Sequence, residues 1–195
     1  MSDASEATSF SVLILAGGQS RRMKQTKSEL LFQGSSFLEH ARELASSLAP
    51  QDILLSSNTH AKAIPDVVSA CGPLGGIYAA SEFCKHSLLV LPVDMPLLSK
   101  GILLPMLEHG LHNNVSTYFN DAPLPLFLHA STHYQSYIKE RIHAYQSDKS
   151  TKAQLSLYRL IEHVNAHALP GDEQVLKNIN SPDDYRWLLA QHQNN

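Results

Sequence analysis

The chain has 195 residues, 43% of them hydrophobic and 17% charged, a balance that excludes a largely disordered or fibrous protein. Fifteen Lys and Arg against eighteen Asp and Glu give a net charge of −3, which argues against a strongly basic nucleic-acid binder. Two cysteines, Cys71 and Cys84, are too few for a disulfide framework or a four-thiolate zinc site, and fit reduced thiols in a cytoplasmic protein. No apolar run approaches the roughly 18 residues of a membrane span, so no membrane partner is expected. The length fits one domain that buries roughly 70% of its unfolded surface.

Met1 to Ser9 is small and acidic, without the positive start of a secretory signal, and reads as a flexible leader. Residues 10–195 then read as a single domain. Phe10 to Leu15 is a short apolar strand that stops at Ala16-Gly17-Gly18. A polar loop with Arg21, Arg22, Lys24 and Lys27 follows. Ser36 and Glu39 have capping-box spacing ahead of a helical stripe ending near Pro50. Ile53 to Ser56 reads as a second strand and Ala63 to Val68 as a third.

The glycine-proline turn at Cys71 to Gly76 opens a helix over 74–84. Ser87 to Val93 is the most apolar strand and ends at Asp94. A helix over 99–109 and strands over 115–119 and 124–129 come next. Two helices lie between Thr132 and Ile161 with a polar break near 147–150, an edge strand covers 164–169, and a last helix covers Pro182 to Gln191. Alternating strands and helices predict an α/β fold, a mostly parallel Rossmann-like sheet covered by helices on both faces.

In open α/β sheets, ligands bind outside the C-terminal ends of strands. Gly17 and Gly18 let a ligand approach the backbone, and Arg22 and Lys27 add positive charge in the same loop. Amides plus cations after a strand suit a polyphosphate, and a solvated basic loop is the plainer alternative. The loop is neither a dinucleotide fingerprint nor a P-loop. Asp94, stiffened by Pro92 and Pro96, suits Mg²⁺, which takes oxygen ligands and substrate phosphates; a turn aspartate explains it equally well. Gly72, Pro73, Leu74, Gly75 and Gly76 suggest close passage of another backbone or a flat ligand, against a plain helix-entry turn. Asn178 and Asn180 alternate along an extended segment and could face one side, against the plainer reading of a surface asparagine pair. His129 with His133, and Glu82 with His86, are four apart but find no third ligand, so solvated faces are the better reading. A nucleophile elbow is absent.

These segments together resemble the molybdenum cofactor guanylyltransferase (MobA-like) family of nucleotidyltransferases. The resemblance rests on Leu15 to Lys27, on Gly72 to Gly76, on Pro92-Val93-Asp94-Met95-Pro96, on Pro125-Leu126, and on Asn178-Ile179-Asn180 ahead of Ser181-Pro182. It covers residues 10 to 190 in the family's order. Lys24 stands where the family has glycine and Thr26 where it has aspartate; Lys24 either crowds the phosphate or adds charge to it.

The resemblance implies transfer of GMP from GTP to molybdenum-molybdopterin with release of pyrophosphate, with Mg²⁺ as cofactor. Arg22, Lys27 and Asp94 would be catalytic, with Asp94 the metal ligand. Leu15, Ala16, Gly17, Gly18, Lys27, Gly72, Pro73, Leu74, Gly76, Asn178 and Asn180 would bind the substrates. Ser56 and Asp66 stand where the family contacts the base, and a carboxylate at Asp66 suits guanine N1–H and its exocyclic amine. GTP, a molybdopterin-type cofactor and molybdoenzyme or cofactor-insertion proteins are the implied partners. Two alternatives stay open: a relative using another base or acceptor, such as a cytidylyl or sugar-phosphate transferase, and an inactive nucleotide-binding homologue.

Overall fold

The computed structural model describes residues 9–17, 26–58, 60, 63–65, 71–84, 86–120, 122–147, 149–151 and 154–191. Its centre is a six-stranded sheet of β4 (Ile53–Ser56), β1 (Phe10–Leu15), β5 (Ser87–Pro92), β7 (Ala122–Leu128), β6 (Thr117–Phe119) and β8 (His167–Leu169), in that order. β1 pairs in parallel with β4 on one side and β5 on the other, and β6 and β8 are also parallel. β7 alone runs against its neighbours β5 and β6. Only two residues separate β6 from β7, too few for the crossover a parallel pair requires, so the chain turns straight back.

Alternation along β1 and β5 divides the core between the two faces of the sheet. Val12, Ile14, Leu89 and Leu91 face α1 (Phe37–Ser47), α3 (Lys100–Asn113) and α6 (Pro182–Gln191), where Phe37, Ala45, Met106 and Leu188 are buried. Leu13, Leu88 and Val90 face α2 (Pro73–Ser81), α4 (Tyr134–Gln146) and α5 (Leu157–His163), where Ile77, Ile138 and Leu160 are buried. Every residue of β5 is buried, as expected of a strand covered on both faces. Burying one such Leu or Ile contributes about 1.5–3 kcal/mol.

α1 starts on a complete capping box. Ser36 Oγ accepts from Glu39 N at 3.2 Å, and Glu39 Oε2 accepts from Ser36 N at 2.6 Å. Bonds from the Ser36 hydroxyl and backbone hold the Glu39 carboxyl below its ordinary pKa.

Several boundaries depart from the sequence-based expectations. α1 ends before Pro50, because Ala49 already turns into the left-handed region at φ 53°. α2 starts at Pro73 and closes at Ser81, earlier than the expected 84. α3 runs on to Asn113, past the expected 109, and stops where Asn114 takes a left-handed conformation with φ 56°. The expected strand over 63–68 is reduced, among described residues, to a single bridge between Ile64 and Ser56, and 66–70 lie outside them. A small hairpin of β2 (Leu31–Phe32) and β3 (Ser35–Ser36) was not expected, and it turns on Gln33 and Gly34 at φ 48° and 88°. Among the described residues no helix is long and apolar enough to cross a membrane.

Candidate functional site

β1, β4 and β5 end on the same edge of the sheet because they are parallel. The backbone links these ends directly: Ala16 N donates to Ser56 O at 3.0 Å and Val93 N to Leu15 O at 3.1 Å. Past them, Gly17 is exposed, and a Cβ there would meet nothing within 4 Å. That open backbone can be approached closely by a ligand.

α2 arrives at this edge through Gly72, whose φ of 61° and ψ of −147° suit only glycine. Pro73 begins the helix, and Leu74 anchors it in the core. Gly76 allows the close packing that follows. A Cβ on it would lie 2.5 Å from Ser56 Oγ and 2.8 Å from Leu15 Cδ2. Leu15, Ser56 and Gly76 are therefore in mutual contact, with the first turn of α2 and its positive dipole end beside them.

The second half of the site joins three distant segments. Lys27 lies in a short 3₁₀ turn over Lys27–Glu29. Its Nζ donates to Asp94 Oδ2 at 2.6 Å and also to Asn180 Oδ1. Lys27 and Asp94 side chains are each 18% exposed, so the pair is partly shielded from water while still reachable. Asp94 follows β5, and Ile179 N donates to Asp94 O at 2.8 Å, which docks the 178–180 segment onto the strand end. Ile179 is fully buried while Asn178 and Asn180 are not, the alternation of an extended segment with one anchored side chain.

Two oxygen acceptors, Asp94 Oδ2 and Asn180 Oδ1, thus share one cationic group. A single carboxylate with a neutral oxygen beside it suits Mg²⁺, which completes its shell with water and substrate phosphates. The donor set does not suit zinc, since among the described residues no three His, Cys, Asp or Glu side chains converge. His129 instead bonds Ser131, with Nδ1 and Oγ 2.7 Å apart.

Of the residues singled out in the sequence, Leu15, Ala16, Gly17, Ser56, Gly72, Pro73, Leu74 and Gly76 gather where β1 and β4 meet α2. Lys27, Asp94, Asn178 and Asn180 gather at the end of β5. Gly18, Arg22, Lys24 and Asp66 lie outside the described residues. Three further groups touch this region. His60 Nε2 is 3.5 Å from the buried Ser28 Oγ, beside Lys27. Tyr185 Oη donates to Leu31 O at 2.6 Å, tying α6 to the hairpin that follows the Lys27 turn. Asp184 Oδ2 accepts from the backbone N of Asn180 at 3.1 Å. Of these only Asp184 had a readable signal, the capping spacing Ser181-x-x-Asp184.

The fold and the chain itself have close parallels. In the Archaeoglobus fulgidus molybdopterin-guanine dinucleotide biosynthesis protein A, the same fold covers 95% of this chain and all of that one, with a TM-score of 0.73 at 19% identity. The Thermus thermophilus 2-C-methyl-D-erythritol 4-phosphate cytidylyltransferase shares it at a TM-score of 0.65 and 16% identity, over 94% of this chain and 98% of that one. The molybdenum cofactor guanylyltransferase of Xanthomonas euvesicatoria is 30% identical over 185 residues, 93% of this chain and 94% of that protein. A probable molybdenum cofactor guanylyltransferase of Flavobacterium johnsoniae is 29% identical over 92% of this chain and 96% of that protein. The model of the MobA-like NTP transferase domain matches residues 12–172, which takes in most of β1, the Lys27 turn, α2 and Asp94. With its parallel strand ends, open glycine and charged cluster in that order, the chain belongs to the MobA-like NTP transferase family of nucleotidyltransferases.

Proposed function

We propose that the chain is a molybdenum cofactor guanylyltransferase acting in the cytoplasm, with residues 10–195 as one catalytic domain. A phosphate oxygen of molybdenum-molybdopterin attacks the α-phosphorus of GTP, the bond to the bridging oxygen of the β-phosphate breaks, and pyrophosphate leaves. The observation that carries this reading is the ammonium of Lys27 shared by Asp94 and Asn180 at the end of β5. Guanylyltransferase relatives at 24–30% identity over most of the chain support the choice of base and acceptor.

Phosphoryl displacement of this kind depends mainly on positioning and charge neutralisation. Asp94, assisted by Asn180, would hold Mg²⁺, which would supply positive charge to offset that of the phosphates. Lys27 and Arg22 offset charge on the triphosphate and on the departing pyrophosphate. Leu15, Ala16, Gly17 and Gly18 present backbone groups to the nucleotide, and Gly72 to Gly76 carry the α2 N-terminus to its phosphates. Ser56 and Asp66 read the base. Asn178 and Asn180 face the acceptor. Molybdoenzymes or cofactor-insertion proteins receive the product.

The test is pyrophosphate release with Mg²⁺ and molybdenum-loaded molybdopterin, comparing GTP, CTP, ATP and UTP. Release with GTP alone is expected. Release with another nucleotide, or with none from folded protein, overturns the reading.

A further inference from the structure

Asp184 lies outside the residues given a role so far, yet among the described residues its carboxylate is the most heavily used acceptor near the site. Asp184 Oδ2 accepts from Asn180 N at 3.1 Å, Ser181 N at 2.9 Å and Ser181 Oγ at 2.7 Å. Its own amide donates back to Ser181 Oγ at 3.2 Å, which closes a capping box at the start of α6. Lys177 Nζ stands 3.8 Å from the other oxygen. Partial burial opposes ionisation, but the Ser181 hydroxyl, the Asn180 and Ser181 amides and Lys177 outweigh it, holding the carboxyl below its ordinary pKa.

A helix cap needs only the Ser181 bonds. The bond to Asn180 N reaches one residue further back, onto the residue whose side chain accepts from Lys27. On the other side, Ile179 N is fixed to Asp94 O at 2.8 Å. Asn180 is therefore held through the backbone on both sides, by the end of β5 before it and by Asp184 after it. Without the second hold, the Asn180 peptide can rotate and its amide oxygen leaves the Lys27 ammonium. Lys27 then keeps one partner and loses the direction the second imposes.

We propose that Asp184 is a positioning residue: its carboxylate clamps the Asn180–Ser181 backbone so that Asn180 holds Lys27 beside Asp94. The inference rests on the reading of Lys27 and Asp94 as the reaction centre.

The experiment compares Asp184→Ala, Asn180→Ala, the double variant and Asp184→Glu by pyrophosphate release. Asp184→Ala lowers kcat by about 10- to 100-fold, the cost of a small misplacement, with KM for the nucleotide nearly unchanged. The double variant is no slower than Asn180→Ala, because Asp184 acts through Asn180. Asp184→Glu, which keeps the capping box, recovers most of the loss. Ser156→Ala removes a comparable cap from α5, where Ser156 Oγ accepts from Arg159 N at 3.3 Å, and controls for stability alone. A kcat loss in Asp184→Ala no larger than in Ser156→Ala, or additive losses in the double variant, overturns the proposal. The NMR signal of the Lys27 side chain, assigned by Lys27→Arg, reports the clamp without turnover. It moves the same way in Asp184→Ala and Asn180→Ala, and an unmoved signal in Asp184→Ala also overturns the proposal. A wild-type protein that releases no pyrophosphate while its Lys27 signal responds in this way refutes the enzymatic reading and leaves the clamp standing.

Discussion

Where β5 ends, Lys27, Asp94 and Asn180 come from segments up to 153 residues apart and place opposite charges in a half-open setting. Where β5 begins, a second polar cluster is buried and uncharged. Ser87 Oγ accepts from Ala130 N at 3.1 Å, Ser116 Oγ from His129 N at 3.0 Å, and Thr132 Oγ1 donates to His129 O at 2.7 Å. Ser116 is fully buried and His129 is 5% exposed. Both clusters are made of polar side chains at strand ends. At the buried one, short hydroxyls satisfy backbone groups within the protein. At the other, charge is kept where a charged molecule can reach it. Polar density alone does not mark a site; accessible charge does.

The largest contrast comes from Asp94→Asn. Turnover falls by about 10²- to 10³-fold, the usual cost of one electrostatic group at a reacting phosphate or acyl centre. Circular dichroism stays that of the folded protein, and turnover equal to wild type would end the assignment of Asp94.

Gly76→Ala acts on the packing behind the site. The added methyl must displace Ser56 Oγ or Leu15 Cδ2, which costs about 1–3 kcal/mol of stability and weakens nucleotide binding. Urea unfolding and nucleotide titration read the two effects, and neutrality in both would show that α2 shifts freely.

Ser116→Ala probes the buried cluster. It strands the His129 amide in a dry site at about 1–3 kcal/mol, with kcat and KM unchanged. A loss of turnover in stable Ser116→Ala protein would break the contrast between the two ends.

The smallest effect is one of pH. Burial holds the His129 imidazole below its ordinary value of 6.5, so the unfolded chain binds this proton more readily than the folded protein. Its contribution is complete above pH 6.5 and declines as pH falls from there towards the lower folded value. The slope is at most about 1.4 kcal/mol per pH unit. His129→Gln flattens the melting temperature against pH below 6.5, and an identical slope in both proteins would remove His129 from the account.

Elements with strong local signals were legible in the sequence. β1 and α6 keep their expected ends, and the Ser36–Glu39 box starts α1 as its spacing indicates. The β2–β3 hairpin was not, because two-residue strands carry no periodicity. The direction of β7 was equally hidden, since an apolar run reads alike either way; only the short connection from β6 constrains it. At the site, Asp94 and the glycines stood out by position on strand ends. Lys27 and Asn180 gained their meaning from the resemblance, because no local pattern predicts that a lysine will meet an asparagine 153 residues away. Tyr185, whose hydroxyl reaches Leu31 O, had no signal for the same reason.

The way α6 is attached bears on how this protein fails. Leu188 is its one buried residue among those described, whereas the sheet behind it is packed on both faces. Lifting this helix removes Asn180 from Lys27 and leaves β1, β4 and β5 paired. Such a local opening requires less free energy than global unfolding. Heat or denaturant is therefore expected to disarm the molecule before it melts, with the midpoint of inactivation below that of unfolding.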